Sequence, residues 1–545
     1  MAIGSFCLVL HGHMPYVLNH GIWPHGEDWL FEAAAETYLP LLSMVGECNF
    51  LNGNPKLTIG LTPVLLEQLA HEHFKQGFEN YLQDRIDQAE KDRLQFEKES
   101  QPHLAWLASR WVEFYTNLAK QFEKIKRDIP GEFKKWHDNG SLELLTSAAT
   151  HGYLPLLLQD SSINAQIRAG LNSSNKILGF KPKGIWLPEG AYRPAGHWNP
   201  AISWGANDWR KSIDELVGKE GLTHFFVDDH MVTNGDDSNL HNVHQPVWVD
   251  GNSGQKPVMA AFARDPYICR QVWCGIVGYP ADGVYLEFHK RHGQRRGLRY
   301  WKVTDRKSDL GQKDFYYPDD IPGKIYQQSS HFCREVKRSL QEYKNVTGKH
   351  GVVIACFDAE LFGHWWFEGP AFLKDVMLTL AADPDVDLTT AESFLHDFGP
   401  DKTMHLPAGS WGEGGDNRVW ANDNLNWLWE TEYRCETLFG KLTYNLPWKK
   451  NAKLREILQK AGRELLLLQA SDWPFVITRK QAPDYGIKRF MQHVSRFDMF
   501  TEIAERLNEN PKHLTGLSKL EKLQIKEADM SDVIFDEIDL NWWNT

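Results

Sequence analysis

The stretch GVVIACFDAE, residues 351–360, indicates the kind of fold this chain adopts. Six apolar residues follow Gly351 without a break, and a carboxylate, Asp358, ends the run. A short apolar run of this length is typical of a buried strand. In barrels of parallel strands the active site lies at the carboxyl ends of the strands. Asp358 is therefore a candidate functional residue.

Six further short runs have the same apolar or β-branched character, and helical patterns separate many of them. This alternation is typical of an α/β protein with parallel strands, and about seven strands favour a closed barrel over an open sheet. The six runs cover residues 5–11, 56–63, 142–149, 183–189, 223–229 and 257–265.

Several of the seven runs end in a polar or charged residue, and we expect these side chains to meet on the active-site face of the barrel. The terminal residues are His11, His151, Glu189, Asp228, Arg264 and Asp358.

Two long segments have helical rather than strand character. Residues 76–140 are charged and too long for an ordinary barrel connection, which predicts an inserted helical subdomain. From about residue 425 the chain is helical again, with apolar residues repeating at helical spacing from Leu454 to Leu468. We predict a catalytic barrel over residues 1–395 and an α-helical C-terminal domain over 396–545 that contributes loop residues to the site.

Composition and charge limit the possible partners. With 545 residues, the chain is expected to form two or three domains or one large barrel with additions. Its 60 basic and 72 acidic residues give a formal charge of −12, which argues against nucleic acid as a partner. The apolar run at residues 3–10 is too short for a secretory or membrane segment, so no membrane partner is expected.

The seven cysteines are scattered and show no CxxC spacing. Neither a disulfide framework nor a zinc finger is therefore indicated, and a reducing cytoplasm is the expected location.

Glu189 and Asp358 could supply the two carboxylates that retaining glycoside cleavage requires, a nucleophile and an acid/base about 5 to 5.5 Å apart. Strand ends on a barrel can bring two such carboxylates together although 169 positions separate them. The alternative is that both are ordinary ion-pair carboxylates, with Arg193 a possible partner of Glu189.

Histidines beside Gly, Pro or aromatic residues form a second candidate group near the predicted strand ends. One interpretation is a metal site, because HxH on a first barrel strand with a later Asp binds zinc in many barrel hydrolases. The other is recognition of sugar hydroxyls by neutral imidazoles, and either makes a polar site more plausible than core packing. The group consists of His11, His13, His151, His230 and His364.

The Gly-rich segment 406–427 carries Trp411, Trp420 and Trp427. It matches no phosphate-binding loop, because it has neither GxxxxGK[ST] nor a GxGxxG after a predicted strand. Tryptophans on loops suit the apolar face of a pyranose ring, and the alternative is that they attach the C-terminal domain to the barrel.

Five motifs in a fixed order make the chain similar to a known family. It resembles glycoside hydrolase family 57, and within it the α-1,4-glucan branching enzymes, over nearly its whole length. The motifs are HGHMPY (11–16), TSAATHGYLP (146–155), GIWLPEGAYRP (184–194), ACFDAELFGHWWFEGP (355–370) and AGSWGEGGDNRVWAN (408–422).

The resemblance implies a distorted (β/α)7 barrel with a helical insertion and a helical C-terminal domain. It implies retaining, metal-independent and cofactor-free transfer of α-1,4-glucan chains to 6-hydroxyl groups, with amylose or glycogen-like substrates. Glu189 matches the family's nucleophile, and Asp358 matches its general acid/base. Further positions match residues that line the glucan site, the one at Ala281 through a backbone group: Trp29, Arg264, Trp273, Ala281, Trp411, Trp420 and Asp472.

Two departures from the family pattern matter. Gly190 replaces the usual cysteine beside the nucleophile, which is expected to alter packing more than chemistry. Residues 231–246 contain no Tyr, Phe or Trp, whereas similar branching enzymes carry a tyrosine there that covers the site. Weaker exclusion of water would favour hydrolysis.

Three alternatives to a branching enzyme therefore remain at the level of sequence. The first is an α-amylase or 4-α-glucanotransferase on the same scaffold. The second is a metal-dependent hydrolase that uses His11, His13 and Asp358, and the third is a non-catalytic glucan-binding protein. The sequence does not set the oligomeric state.

Overall fold

The computed structural model describes residues 2–204, 208–234, 239–252, 254, 256–293, 296–305, 307–509 and 517–543. Seven parallel strands occupy the seven apolar runs identified from the sequence. They are β1 (Gly4–Gly12), β2 (Leu57–Leu61), β3 (Leu142–Leu145), β4 (Gly184–Ile185), β5 (His224–Val227), β6 (Ala260–Ala263) and β7 (Gly351–Asp358).

These strands form a closed ring. β7, β1, β2 and β3 pair in that order, and β4, β5 and β6 pair in theirs. A parallel bridge between Thr146 and Ile185 joins β3 to β4. On the other side, the Asp265 amide donates to the Ile354 carbonyl at 2.8 Å and joins the end of β6 to β7. The predicted α/β barrel is confirmed. It departs from a regular barrel at the β3–β4 and β6–β7 junctions, where few backbone hydrogen bonds join the strands.

The apolar residues of the strands fill both faces of this ring. Val352, Ile354 and Cys356 of β7 belong to the core inside the barrel, whereas the alternate residues Val353 and Phe357 pack under the outer helices. Side chains of a strand point to opposite faces in turn, so a strand buried on both sides must be apolar throughout. This is why the run at 351–357 has no polar residue.

Helices surround the barrel, and two of its strands have partners outside the ring. Val386–Leu388 pairs with β1 and Val247–Asp250 with β6, while Gly196–His197 pairs with Trp209–Arg210. The surrounding α-helices are Glu27–Ala33, Leu39–Phe50, Pro63–Ala70, Asp160–Leu178, Ile213–Gly218, His230–Thr233, Pro266–Trp273, Ile321–Thr347, Gly369–Ala381 and Ala391–Phe398.

Three consecutive helices occupy the segment where an insertion is predicted: Glu72–Lys98, Pro102–Lys124 and Ile129–Asp138. The first starts four residues before the predicted boundary at 76, with the His71 side chain accepting from the His73 amide. Proline near the start of the other two helices suits their first turns, where the missing amide hydrogen has no helical partner.

The C-terminal region is helical, and the apolar stripe from Leu454 to Leu468 is buried. The predicted domain boundary at 395/396 falls inside Ala391–Phe398, and Thr403–His405 pairs with Val247–Asp250. The division at 396 therefore stays a prediction. The C-terminal helices are Asn426–Asn445, Ala452–Leu468, Asp472–Thr478, Pro483–Glu509 and Lys519–Ser531.

Among the residues described above, no helix combines the length and the apolar character that a bilayer crossing requires.

Candidate active site

A cleft of about 1260 Å³ opens at the carboxyl ends of the barrel strands and is lined by both barrel and C-terminal residues. Twelve of the residues singled out from the sequence line it. They are His11, His13, Trp29, His151, Glu189, Arg264, Trp273, Asp358, His364, Trp411, Trp420 and Asp472.

Glu189 reaches this cleft from the tight turn Pro188–Gly190, which is separated from the end of β4 by two residues. Its φ of 60° lies in the left-handed region, and Gly190 continues with a φ of 56°. The Trp411 amide donates to the Glu189 carbonyl at 3.1 Å, which fixes the turn to the Gly-rich loop. An apolar strand thus ends in a reversal that presents a single carboxylate to the cleft.

Each oxygen of the Glu189 carboxylate accepts one hydrogen bond. Trp411 Nε1 donates to Oε2 at 3.1 Å, and Ser471 Oγ donates to Oε1 at 3.0 Å. Burial raises the pKa of Glu189, while the Trp411 hydrogen bond and the charge of His13 oppose that rise. Arg193, the alternative ion-pair partner, donates instead to a backbone carbonyl, that of Lys211, at 2.9 Å.

Asp358 ends β7, where the strand register places it beside His11 of β1. Burial raises the pKa of Asp358 well above its ordinary value, and the nearby carboxylates Glu360 and Glu189 raise it further. The surroundings of Asp358 thus favour its protonated form, and it lines the same cleft as Glu189.

Glu360 is a site residue that sequence reasoning missed. It lines the cleft two positions after Asp358, and the His13 amide donates to its Oε1 at 3.1 Å. The Tyr38 hydroxyl donates to the same oxygen. Its position in the motif with Asp358 was the available signal, but its partner Tyr38 lies 322 positions away in sequence.

Three histidine rings stack beside the two carboxylates. The rings of His13 and His151 are 4.0 Å apart, and the Nε2 atoms of His11 and His151 are 3.1 Å apart. Burial, together with charge on His13, lowers the pKa of both His11 and His151 well below its ordinary value.

His13 is the charged member of this stack. Burial lowers its pKa, but Asp472, whose carboxylate is 3.0 Å from Nε2, acts together with the charges of Glu189 and Glu360 to raise the pKa overall. Its Nδ1 contacts the Thr62 hydroxyl at 3.0 Å. These shifts favour the charged form of His13 and the neutral forms of His11 and His151. Hydrogen bonds engage both ring nitrogens of His13.

Two of the residues singled out from the sequence, His230 and Ala281, do not line the cleft. His230 lies beside Asp228, with 3.6 Å between Nδ1 and the carboxylate, and Asp228 forms a bidentate pair with Arg264. Ala281 ends the short turn Tyr279–Ala281. Of the loop 231–246, residues 235–238 lie outside the described part of the chain.

The three tryptophans of the Gly-rich segment have different positions. Trp411 packs edge-on against Trp186 with 4.9 Å between ring centroids and faces Glu189. Trp420 is buried against Tyr153, and Trp427 packs against Phe490 of the C-terminal helices. Trp411 thus contacts Glu189, Trp420 packs on the segment that follows β3, and Trp427 packs within the C-terminal helices.

Within the described residues, one group of side chains has the spacing of a metal site: Glu464, His493 and Asp532. It lies outside the cleft, and hydrogen bonds already join its members. His493 Nδ1 is 2.8 Å from Glu464 Oε2, and its Nε2 accepts from Arg489 at 2.9 Å. Arg496 pairs with Asp532, so two guanidinium groups contact this cluster.

Two family models match the chain. The family model described as glycosyl hydrolase family 57 matches residues 7–407. A second model, described as the C-terminal region of 1,4-alpha-glucan branching enzyme, matches residues 433–543.

Relatives and solved structures extend these matches. A 1,4-alpha-glucan branching enzyme of Thermococcus kodakarensis is 37% identical over 505 residues, covering 91% of this chain and 73% of that protein. The crystal structure of a branching enzyme from Pyrococcus horikoshii superposes with a TM-score of 0.91 at 36% identity, covering 99% and 97% of the two chains. That of an alpha-amylase from Thermotoga maritima has a TM-score of 0.84 at 28% identity, covering 99% of each.

Proposed function

The chain belongs to glycosyl hydrolase family 57, and from that premise we propose that it is a retaining 1,4-α-glucan branching enzyme. The observation that carries the proposal is the pair of carboxylates in one cleft, Asp358 in a setting that holds a proton and Glu189 with a donor on each oxygen. The match of residues 433–543 to a branching-enzyme C-terminal model supports branching over the other activities of the scaffold.

In the first step, ionised Glu189 attacks the anomeric carbon of an α-1,4-linked glucosyl unit. The glycosidic carbon–oxygen bond breaks, and the leaving 4-oxygen takes the proton of Asp358. The product is a glycosyl ester on Glu189, and Asp358 is left as a carboxylate.

In the second step, Asp358 removes the proton of an acceptor hydroxyl, whose oxygen attacks the anomeric carbon and releases Glu189. A glucan 6-hydroxyl gives an α-1,6 branch, whereas water gives a shortened chain. Because the chemistry is shared, acceptor binding and exclusion of water decide the outcome.

The cleft suits a glucan chain rather than a small anion. Trp29, Trp273 and Trp411 present rings to it, and aromatic faces pack against the apolar faces of pyranoses. The residues that we assign to glucan binding are Trp29, Trp273, Trp411, His11, His13, His151, Arg264, His364, Trp420 and Asp472. His230, from the histidine group, and Ala281, from the resemblance, stay predictions.

We infer a cytoplasmic role in synthesis of a glycogen-type polymer. All seven cysteines carry free thiols, which suits a reducing compartment.

Proton NMR of amylose incubated with the purified protein tests the proposal. We expect the α-1,6 anomeric signal to rise with few new reducing ends, and Glu189→Gln to abolish the change. Abundant reducing ends without α-1,6 signal would make the protein an amylase, in line with its Thermotoga neighbour. Longer and shorter linear chains without branches would indicate glucanotransfer.

The same experiment separates catalysis from simple binding. A non-catalytic glucan-binding protein would leave the NMR spectrum of amylose unchanged with the wild-type chain as well as with Glu189→Gln.

A further inference from the structure

Ser471 is a buried residue of the C-terminal region that contacts the nucleophile position. It precedes the helix Asp472–Thr478, and its side chain reaches Glu189 across 282 positions of sequence. Its hydroxyl lies 3.0 Å from Glu189 Oε1, and the residue is 1% exposed.

The number of hydrogens on each group decides which atom donates and which accepts in the hydrogen bonds around Ser471. A serine hydroxyl has one hydrogen, and an ionised carboxylate only accepts, so the hydrogen points to Glu189. His151 Nδ1 lies 2.9 Å from the same hydroxyl oxygen and must therefore donate to it. With Nδ1 protonated and the ring neutral, Nε2 of His151 is an acceptor.

His11 completes the chain, because its Nε2 lies 3.1 Å from His151 Nε2 and has to supply the hydrogen. The donors then run in one direction, from His11 to His151, to Ser471 and to Glu189. Both imidazoles are buried beside the cation His13, which keeps them neutral and lowers their pKa. A hydrogen-bond chain of this kind is strongest when every member has its partner.

Backbone hydrogen bonds also hold Ser471 next to His151. The Ser471 amide donates to the His151 carbonyl at 3.1 Å, and Gly152 bridges Ala470 in antiparallel fashion. The position of the hydroxyl is therefore fixed by the main chain of both regions rather than by side-chain packing alone.

We propose that Ser471 is a positioning residue for the nucleophile, which holds Glu189 Oε1 at the end of the chain His11, His151, Ser471. The proposal rests on the role assigned to Glu189 above. Trp411 holds the other oxygen, so the two donors together fix the plane of the carboxylate and favour its ionised form. The titratable groups that face Glu189 are His13, His151, Tyr153, Asp358 and Asp472.

The test compares Ser471→Ala with wild type in the pH dependence of kcat and kcat/KM on amylose. We expect kcat to fall roughly ten- to hundred-fold with little change in KM, since a hydrogen bond to a charged group is lost. The acidic limb of kcat/KM should move to higher pH, because Glu189 loses a donor that favours its ionised form.

Two sets of variants make the result specific. Ser173→Ala removes a hydrogen bond of the same kind, from a buried serine to Glu67 at 2.8 Å, outside the cleft, and should leave both profiles unchanged. Ser471→Thr and Ser471→Val have nearly the same shape, but only threonine keeps the hydroxyl. Thr should therefore recover kcat and the acidic limb relative to Val, and this pair replaces Ala if Ala does not fold.

Equal kcat and equal acidic limbs in the Thr and Val variants would overturn the proposal, as would a wild-type profile for folded Ser471→Ala. Glu189→Gln separates this failure from failure of the proposed function. If Glu189→Gln is inactive while Ser471→Ala behaves as wild type, only the role of Ser471 is wrong. If Glu189→Gln remains active, the role of Glu189 itself is wrong.

Discussion

Glu189 and Asp358 carry the same chemical group, and their different surroundings suit them to the opposite roles proposed above. Glu189 accepts two side-chain hydrogen bonds, whereas Asp358 is buried next to the negative charges of Glu360 and Glu189. The shared proton therefore belongs on Asp358. Activity should fall at low pH as Glu189 takes up a proton, and at high pH as Asp358 loses its own.

Replacing Glu360 by Gln should move the basic limb of the kcat/KM profile to lower pH. The substitution removes a negative charge that raises the pKa of Asp358, so Asp358 loses its proton earlier. Glu368→Gln is the matched control, since Glu368 also accepts from a tyrosine, Tyr316, and from a backbone amide, but lies outside the cleft. A shift of the basic limb in both variants, or in neither, would contradict this account.

Replacing Trp411 by Phe should lower kcat about ten-fold while leaving the fold intact. The ring that packs on Trp186 is largely kept, but the donor to Glu189 Oε2 is lost. Trp448→Phe removes a comparable indole hydrogen bond, to the Thr443 carbonyl at 2.8 Å, outside the cleft. Steady-state rates on amylose measure both, and equal losses would mean that the Trp411 bond has no special role.

At the scale of elements, apolar runs predict the barrel strands because each strand is buried on both faces. The start of the inserted helices is less predictable: Glu72–Lys98 begins with a histidine cap, His71, which is not among the usual capping residues. β4 has two residues, so the sequence indicates this strand mainly through Glu189, the carboxylate that follows it. Short strands carry little periodic signal.

Replacing Gly190 by Ala should reduce stability by about 1 kcal/mol and leave the product pattern unchanged. The cost comes from the left-handed φ of 56°, which a Cβ disfavours. Space is available, since the added Cβ would lie 3.6 Å from the nearest Trp411 atoms. Thermal denaturation and product NMR check this. Lost activity at an unchanged melting temperature would show that the side chain at 190 affects the chemistry instead.

At the scale of the whole molecule, the site is assembled from parts that the sequence keeps far apart. His13 meets Asp472 across 459 positions, and His151 meets Ser471 across 320. The motifs predicted which residues face the cleft, but periodicity says nothing about pairings between distant segments. Asp472 was found through a resemblance, whereas Ser471 and Glu360 emerged only from the contacts.

The contact between the N-terminal loop and the C-terminal helices should make the protein sensitive to acid. Burial, together with the charge of Arg489, lowers the pKa of His20 to about 4, so His20 is a neutral partner of Asp532. The unfolded chain binds a proton to this histidine between pH 6.5 and 4, and the folded chain does not. Stability should therefore decline as pH falls through that window, by a few kcal/mol.

Denaturation midpoints measured from pH 7 to pH 4 test this at the level of one side chain. The His20→Gln variant should show a smaller decline in stability than wild type. The His396→Gln variant, at an exposed histidine, should show the wild-type decline. Identical slopes in wild type and His20→Gln would assign the acid sensitivity to other groups.

The contacts of His13 with Asp472 and of His151 with Ser471 also have a consequence for biosynthesis. The ribosome synthesises the barrel motifs well before it reaches Ser471, which contacts Glu189, and Asp472, which contacts His13. Glu189 therefore lacks its Ser471 donor, and His13 its Asp472 partner, until nearly nine-tenths of the chain has been made. On the role proposed for Ser471, an unfinished chain should cleave glucan more slowly than a chain that includes residues 471 and 472.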